Sequence, residues 1–186
     1  MARDTRRRMI QQAALLFRGS GYAGTGIREV AEAAGAHRGV IYHHFAGGKA
    51  ELATEVLAYV DSLVGPAIEA VCATEEPVPA MRAILAAAAV VMAGEDHPAG
   101  CAVAAVTLGA GPDEPALRSA TREIFDRWQQ AFRDCLWRNG FSGVAATNLA
   151  TLLIAGLEGA LVLCRAEGTT EPLARVADAL EHALKR

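Results

Sequence analysis

Four polar side chains close together in the sequence, Arg38, Tyr42, His43 and His44, could bind a phosphate or the edge of a base. A guanidinium donates paired hydrogen bonds to guanine or to phosphate oxygens, whereas imidazole and phenol groups donate single ones. Successive helical positions point about 100° apart, so His43 and His44 cannot easily share one metal ion. These residue types and spacings therefore favour recognition of a polyanion.

Two short helices around a glycine would position these side chains. The first helix has apolar residues at helical intervals, namely Ile27, Val30, Ala31 and Ala34. Gly35 can adopt the left-handed conformation that ends this helix, and Val40 with Ile41 supplies the apolar side of the second. This order indicates a helix-turn-helix, whose second helix enters the DNA major groove. From the spacing alone, an ordinary helical hairpin within an all-helical core remains the alternative.

The charge distribution supports a polyanionic partner. Residues 1–50 contain eight basic and three acidic side chains, a net charge of +5, although the whole chain has a net charge of −3. Residues 51–186 contain ten basic and eighteen acidic side chains. A nucleic acid would therefore be attracted to the amino-terminal part alone.

Residues 6–57 resemble the DNA-binding domain of the tetracycline-repressor (TetR) family. The resemblance rests on four blocks in order, IQQAALLFRGSGY, TGIREVAEAAG, RGVIYHHF and GGKAELATEVL. The segments FAGGKAEL, GCAVAAVTLGA and EGALVLCRAE resemble the LmrA and YxaF subgroup of that family. The resemblance implies a DNA-binding transcriptional regulator, namely a repressor released by a small, largely apolar effector.

Carried over residue by residue, the family pattern implies a set of DNA contacts. Arg28 and the segment from Arg38 to His44 would lie at the major groove, with Arg38 and His43 as candidates for base edges. The expected DNA-binding residues are Thr25, Arg28, His37, Arg38, Gly39, Tyr42, His43, His44 and Lys49. Within this set, Thr25, Tyr42, His44 and Lys49 are expected to hold phosphates, although Tyr42 and His44 could instead pack between helices. Three positions depart from the pattern, because Gly26 replaces a hydroxyl residue, His37 a helix-capping serine, and Gly48 caps the fourth helix poorly.

The chain reads as all-α, with about nine helices. Aromatic residues make up 5% of the chain and alanine is abundant, which favours closely packed helices over strands. Residues 1–48 are expected to form the helix-turn-helix domain, and the fourth helix, 49–72, to link it to the rest. Residues 73–186 are then expected to form a helical domain for effector binding and dimerisation.

The last two helices are the expected homodimer surface, and the eighth carries the candidate interface residues, because symmetric DNA-binding proteins read half-sites as pairs. Two pairs of small residues four positions apart would allow close helix approach. The expected interface residues are Leu152, Ala155, Gly156, Gly159, Ala160 and Leu163. Packing of the same small residues within one chain is the alternative.

An effector pocket is expected between the helices of the carboxy-terminal part. Trp128 and Phe132 share one helix face, and Glu158 is an acid within an apolar run that would suit a polar or cationic group. The candidate pocket residues are Met92, Cys101, Leu108, Trp128, Phe132 and Glu158. For each of them, an ordinary place in the core is the alternative.

Other functional classes have little support. The glycines at 19, 21 and 24 match GxGxxG literally, but no strand precedes them and no βαβ pattern follows, so no cofactor is expected. The four cysteines lack the paired spacing of a zinc site, and no catalytic triad motif occurs, so neither a metal nor an enzymatic activity is expected. The longest apolar run, residues 83–93, is too short to cross a bilayer, and we expect a cytoplasmic protein. A helical scaffold whose basic head binds another polyanionic partner remains the rival hypothesis.

Overall fold

Helices are the regular secondary structure of this protein wherever the structure, a computed structural model, describes it: residues 2–37, 39–94 and 99–185. Within those ranges there are nine helices and no strand. The helices are α1 (Ala2–Gly24), α2 (Ile27–Ala33), α3 (Ile41–His44), α4 (Gly48–Thr74), α5 (Pro77–Ala93), α6 (Ala102–Gly109), α7 (Pro115–Arg138), α8 (Gly143–Glu167) and α9 (Glu171–Leu184). The prediction of an all-α fold is confirmed.

Two glycines interrupt or end helices by adopting backbone angles that other residues avoid. Gly21 interrupts α1 with φ 78° and ψ 160°. Gly35 follows α2 with φ 64°, and the N–H of Ala36 donates to the carbonyl of Ala31 at 2.9 Å. This hydrogen bond closes the left-handed cap that the glycine permits.

The first of two compact units consists of Met1–Leu63 and Cys101–Glu123. Its core contains the fully buried side chains of Phe17, Ile41, Phe45 and Leu52, which join α1, α3 and α4. Helix α6 packs against α1 although about eighty residues separate them in the sequence. The apolar faces of the helix-turn-helix are therefore covered, and its polar faces are turned outward.

The second compact unit consists of Val64–Gly100 and Ile124–Arg186. Helix α9 packs against both α5 and α8. The guanidinium of Arg82 on α5 binds two acids of α9, Asp178 at 2.8 Å and Glu181. Each unit combines two separate stretches of the chain, unlike the predicted domains, which divide it at residues 48 and 73. The predicted domains are defined by function, and they stay a prediction.

Helix α4 passes from the first unit to the second after Leu63, beside Gly65 and Pro66. Proline has no N–H, so the carbonyl of Ser62 lacks the hydrogen bond that a helix would otherwise provide. By length and composition alone, α4 and α8 could cross a membrane. That test is also met by core helices, and α8 places Leu153, a buried residue, in the core of the second unit.

Candidate nucleic-acid interface

The helix-turn-helix is held by its apolar residues and by one carboxylate cap. Val30 and Ala31 of α2 are buried, as is Ile41 of α3. Gly26 provides no side chain at the start of α2, but the carboxylate of Glu29 accepts a hydrogen bond from the Gly26 N–H at 3.2 Å. An acid in the first turn also interacts favourably with the helix dipole. The missing hydroxyl at position 26 is thereby offset.

The turn before α3 is closed by His37. Its main-chain carbonyl accepts from the N–H of Val40 at 2.9 Å, and its ring Nδ1 accepts from the N–H of Gly39 at 3.3 Å. The imidazole nitrogen thus accepts a hydrogen bond from the backbone two residues later, as serine and aspartate side chains do in turns. Val40 begins α3 without a side-chain capping hydrogen bond, so His37 stabilises the turn before the helix and does not cap it.

Five of the nine predicted contact residues are exposed, one on α2 and four in the turn before α3 and on α3 itself. Arg28, His37, Gly39 and His43 are exposed, and 48% of Tyr42 is accessible. We call these five residues the candidate interface.

Two predicted contacts stand apart from that set. His44 is half-buried, with its ring centroid 6.5 Å from that of Phe45, which agrees with the packing alternative. Arg38 lies outside the described residues, so its role as a base contact stays a prediction.

Thr25 does not suit the phosphate contact expected of it. The residue is 2% exposed, and its hydroxyl donates to the carbonyl of Gly21 at 2.8 Å. A threonine hydroxyl has one proton, which is already used here. Thr25 therefore stabilises the turn after α1 and is not part of the candidate interface.

Lys49 is likewise engaged within the protein. Its Nζ donates to the carbonyl of Ala23 at 3.3 Å and lies 4.5 Å from the centroid of the Tyr22 ring. Desolvation by burial lowers the pKa of Lys49. The ammonium joins the start of α4 to the end of α1, and the expectation that it holds a DNA phosphate stays a prediction.

A polar cluster around Tyr22 was not predicted. The Tyr22 hydroxyl donates to the carboxylate of Glu114, which also accepts from the N–H of Gly111 at 2.9 Å. Burial, followed by this hydrogen bond, raises the pKa of Tyr22 well above its ordinary value. The hydrogen bond from Tyr22, followed by that from Gly111, lowers the pKa of Glu114. Tyr22 and Glu114 are far apart in sequence, and no local sequence motif indicates that their side chains meet.

The basic run at the start of α1 is partly used inside the first unit. Arg6 pairs with Glu55 at 2.9 Å and lies 5.0 Å from the centroid of the Phe45 ring. The hydrogen bond from Arg6 lowers the pKa of Glu55. Arg8 donates through Nε to the carbonyl of Ala34 at 3.2 Å. Net charge alone therefore overstates how many of these cations face outward.

The predicted dimer residues fall on two faces of α8. Ala160 is buried, and a Cβ on Gly156 would lie 3.0 Å from the Val176 side chain of α9. This pair packs within the chain, so its assignment to a dimer interface is corrected. The other four predicted residues, Leu152, Ala155, Gly159 and Leu163, are exposed.

The predicted pocket residues have very different exposures. Met92, Trp128 and Phe132 are buried in the second unit, and Glu158 of the same unit is half-buried. Leu108, on α6 of the first unit, is 87% exposed and is therefore a poor candidate for a pocket wall.

Cys101 belongs to the first unit and is half-buried, so its role in a pocket remains a prediction. Cys72, Cys135 and Cys164 are buried in the second unit, and burial raises the pKa of each, that of Cys72 to about 12. Thiols with such pKa values stay protonated and poorly reactive at neutral pH. The described residues contain no group of three or more His, Cys, Asp or Glu side chains that could hold a metal ion.

Two family models match the chain. Residues 9–56 match that of bacterial regulatory proteins of the tetR family, and residues 77–179 match the C-terminal domain of LmrA/YxaF-like transcriptional regulators. An HTH-type transcriptional regulator of Mycobacterium tuberculosis (strain ATCC 25618 / H37Rv) is 32% identical over 90% of this chain and 88% of its own length. The HTH-type transcriptional regulator LmrA of Bacillus subtilis (strain 168) is 28% identical, with 98% of each chain covered.

Solved structures share the fold. A TetR transcriptional regulator from Chloroflexus aurantiacus has a TM-score of 0.80 and 29% identity, covering 100% of this chain and 96% of that one. The regulator CifR, a cysteine mutant in complex with 26-bp double-strand operator DNA, has a TM-score of 0.76 and 23% identity, with 96% and 94% covered.

Proposed function

We propose, from the premise that the chain belongs to the TetR family and is a DNA-binding transcriptional regulator, that it is a repressor. In this proposal it binds a palindromic operator as a homodimer and is released by a small, largely apolar effector. The observation that carries the proposal is the candidate interface, where polar side chains of the helix-turn-helix are exposed while its apolar residues are buried. The rest of the chain would pair two copies and bind the effector.

The DNA contacts divide between base edges and phosphates. We assign Arg38 and His43 to base edges in the major groove, because a guanidinium and an imidazole can both donate hydrogen bonds to base acceptors. Arg28, Tyr42 and His44 are assigned to phosphates, and phosphate contacts supply affinity with little sequence preference. Arg38 stays in this set on the strength of its place in the sequence alone.

The homodimer is supported by the apolar face that α8 leaves exposed. Leu152, Ala155, Gly159 and Leu163 lie on it, together with Val162, which is 66% exposed. Large apolar side chains in a row on a surface favour association, and the small residues among them permit close helix approach. A symmetric dimer built on this face would present two identical DNA-binding domains. Two such domains bind two identical half-sites, and a palindromic operator provides them.

Effector binding is assigned to the carboxy-terminal region, residues 73–186. Met92, Trp128 and Phe132 provide an apolar surround, and Glu158 provides one acid in the same unit. The effector would bind more tightly to a conformation in which the distance between the two DNA-binding domains does not match that between the half-sites. It would lower DNA affinity by the difference between its binding free energies for the two conformations. A regulator of this kind acts on chromosomal DNA, so we place it in the cytoplasm.

Selection of bound sequences from random duplex DNA tests the proposal. We expect the wild-type protein to enrich a palindrome, whose half-site spacing gives the dimer geometry. Arg38→Ala should lower affinity for that palindrome with little loss of helix content. Arg122→Ala removes one positive charge from an exposed position of α7 and is the matched control.

The same experiment separates the proposal from its rival. A scaffold with a basic head would bind heparin as tightly as duplex DNA and would enrich no sequence. That result would contradict the repressor proposal and favour the scaffold.

A further inference from the structure

His37 occupies the joint between α2 and α3 and uses one ring nitrogen there. The Gly39 N–H donates to Nδ1 at 3.3 Å, and the Val40 N–H donates to the His37 carbonyl at 2.9 Å. Both hydrogen bonds are local, so they form whenever this turn forms. His37 itself is exposed.

The hydrogen bond from Gly39 fixes where the ring carries its proton. A backbone N–H can only donate, so Nδ1 must be the unprotonated nitrogen. In the neutral imidazole the proton then lies on Nε2. The turn therefore converts a side chain with two tautomers into one that presents a single defined donor.

A defined donor can distinguish bases, whereas a hydroxyl both donates and accepts. In the major groove, guanine presents N7 beside O6, both acceptors, whereas adenine presents N7 beside the N6 amino donor. An N–H aimed at N7 meets no competing donor at guanine. A serine at the same position could still accept from the Gly39 N–H but would lose this preference.

We propose that His37 is a specificity-determining residue that holds the turn through Nδ1 and donates through Nε2–H to N7 of a guanine in each operator half-site. This inference rests on the proposed function, because it requires the turn to face the major groove.

Three substitutions separate the two tasks of the ring. His37→Ser keeps an acceptor for the Gly39 N–H but lacks the reach and the fixed donor of imidazole. His37→Asn keeps both, because its amide oxygen can accept from Gly39 and its NH₂ can donate. His37→Ala removes both. His182→Ala, at an exposed histidine of α9, controls for loss of an imidazole elsewhere.

The test uses sequences selected from random duplexes by the wild type and by each variant, followed by duplexes with 7-deazaguanine at one half-site guanine at a time. We expect one guanine per half-site at which removal of N7 weakens wild-type binding roughly fivefold, the size of one ordinary hydrogen bond. The same replacement should have no effect on His37→Ser. That variant should tolerate adenine there, His37→Asn should recover part of the preference, and His182→Ala should behave as wild type.

Three outcomes would overturn the inference. His37→Ser could enrich the wild-type palindrome with equal strictness, which would leave the ring a purely local role in the turn. His37→Ser and His37→Ala could weaken all duplexes uniformly, which would make His37 a phosphate contact. If the wild type enriches no palindrome, the proposed function fails as well, so the two failures are distinguishable. Melting curves of each variant establish that it is folded before its binding is compared.

Discussion

The hydroxyl of Tyr22 donates to the carboxylate of Glu114, 92 residues later in the chain. Lys49 adds its ammonium over the same ring, and Gly109 packs against the backbone beside it. The end of α1, the start of α4 and the α6–α7 loop thus meet at one polar cluster within the first unit. The loop between α6 and α7 is therefore part of the structure that supports the helix-turn-helix.

The Glu114 carboxylate makes the stability of this unit depend on pH. Its pKa in the folded protein is lowered, so its contribution is present above the ordinary pKa of about 4.5 and is lost as pH falls through the folded value. Glu55 and Glu181 also have lowered pKa values, so the contribution of Glu114 must be taken as a difference. We expect urea unfolding between pH 7 and pH 3 to show a steeper acid-side loss for the wild type than for Glu114→Gln. Parallel curves would contradict this assignment.

Tyr22→Phe should lower the free energy of unfolding by about 1 kcal/mol, because it removes one largely buried hydrogen bond and keeps the ring. The Lys49 ammonium would still lie over that ring. Chemical denaturation followed by circular dichroism measures the change. Tyr42→Phe, at an exposed position, is the control and should change stability by only a few tenths of a kcal/mol. Equal effects of the two substitutions would refute the role of the Tyr22 hydroxyl.

Gly109→Ala should destabilise the protein by about 1–3 kcal/mol through overpacking. Its Cβ would lie 3.1 Å from the backbone N of Ala23 and 3.2 Å from the Cβ of Tyr22, so α6 would have to move away from α1. Gly143→Ala is the control, because nothing lies within 4 Å of a Cβ there. Thermal unfolding of the two variants compares the positions directly. Similar melting temperatures would show that α6 can shift without cost.

Gly159→Arg should dissociate the proposed homodimer without unfolding the chain, because position 159 is open and exposed. Sedimentation at micromolar concentration should show a dimer for the wild type and a monomer for this variant. Gly156→Ala should instead lower the melting temperature, since its Cβ would crowd Val176. A wild type that sediments as a monomer would contradict the dimer, and a dimeric Gly159→Arg would move the interface elsewhere.

Arg28→Ala should reduce the salt dependence of operator binding, and Lys49→Met should leave it nearly unchanged. Each phosphate contact contributes about 0.9 to the slope of log affinity against log salt, so a homodimer that loses two contacts should lose about 1.8. Fluorescence anisotropy over a salt series measures both slopes. A slope lowered by Lys49→Met would place that ammonium at the DNA interface.

Local patterns predicted the helices and the outward face of α3, because both depend on residues close in sequence. Gly35 was predicted to end α2 and does so. The engagement of Lys49 was not predictable, since Tyr22 and Ala23 reach it only once α1 and α4 pack. The two small-residue pairs of α8 have the same spacing, and spacing alone does not tell which of them faces α9. Most of the predictions that the structure changes therefore concern residues whose contacts are made by side chains distant in sequence.

Pro66 should affect how the amide protons on the two sides of it in α4 exchange with solvent. The part of α4 up to Leu63 belongs to the first unit and the part from Val64 onward to the second, and Pro66 removes one hydrogen bond of the turn between them. Amide protons on the two sides should therefore exchange with deuterium at independent rates, each set by its own unit. One continuous helix would then belong to two cooperative blocks, and hydrogen exchange would show each part of it opening with its own unit.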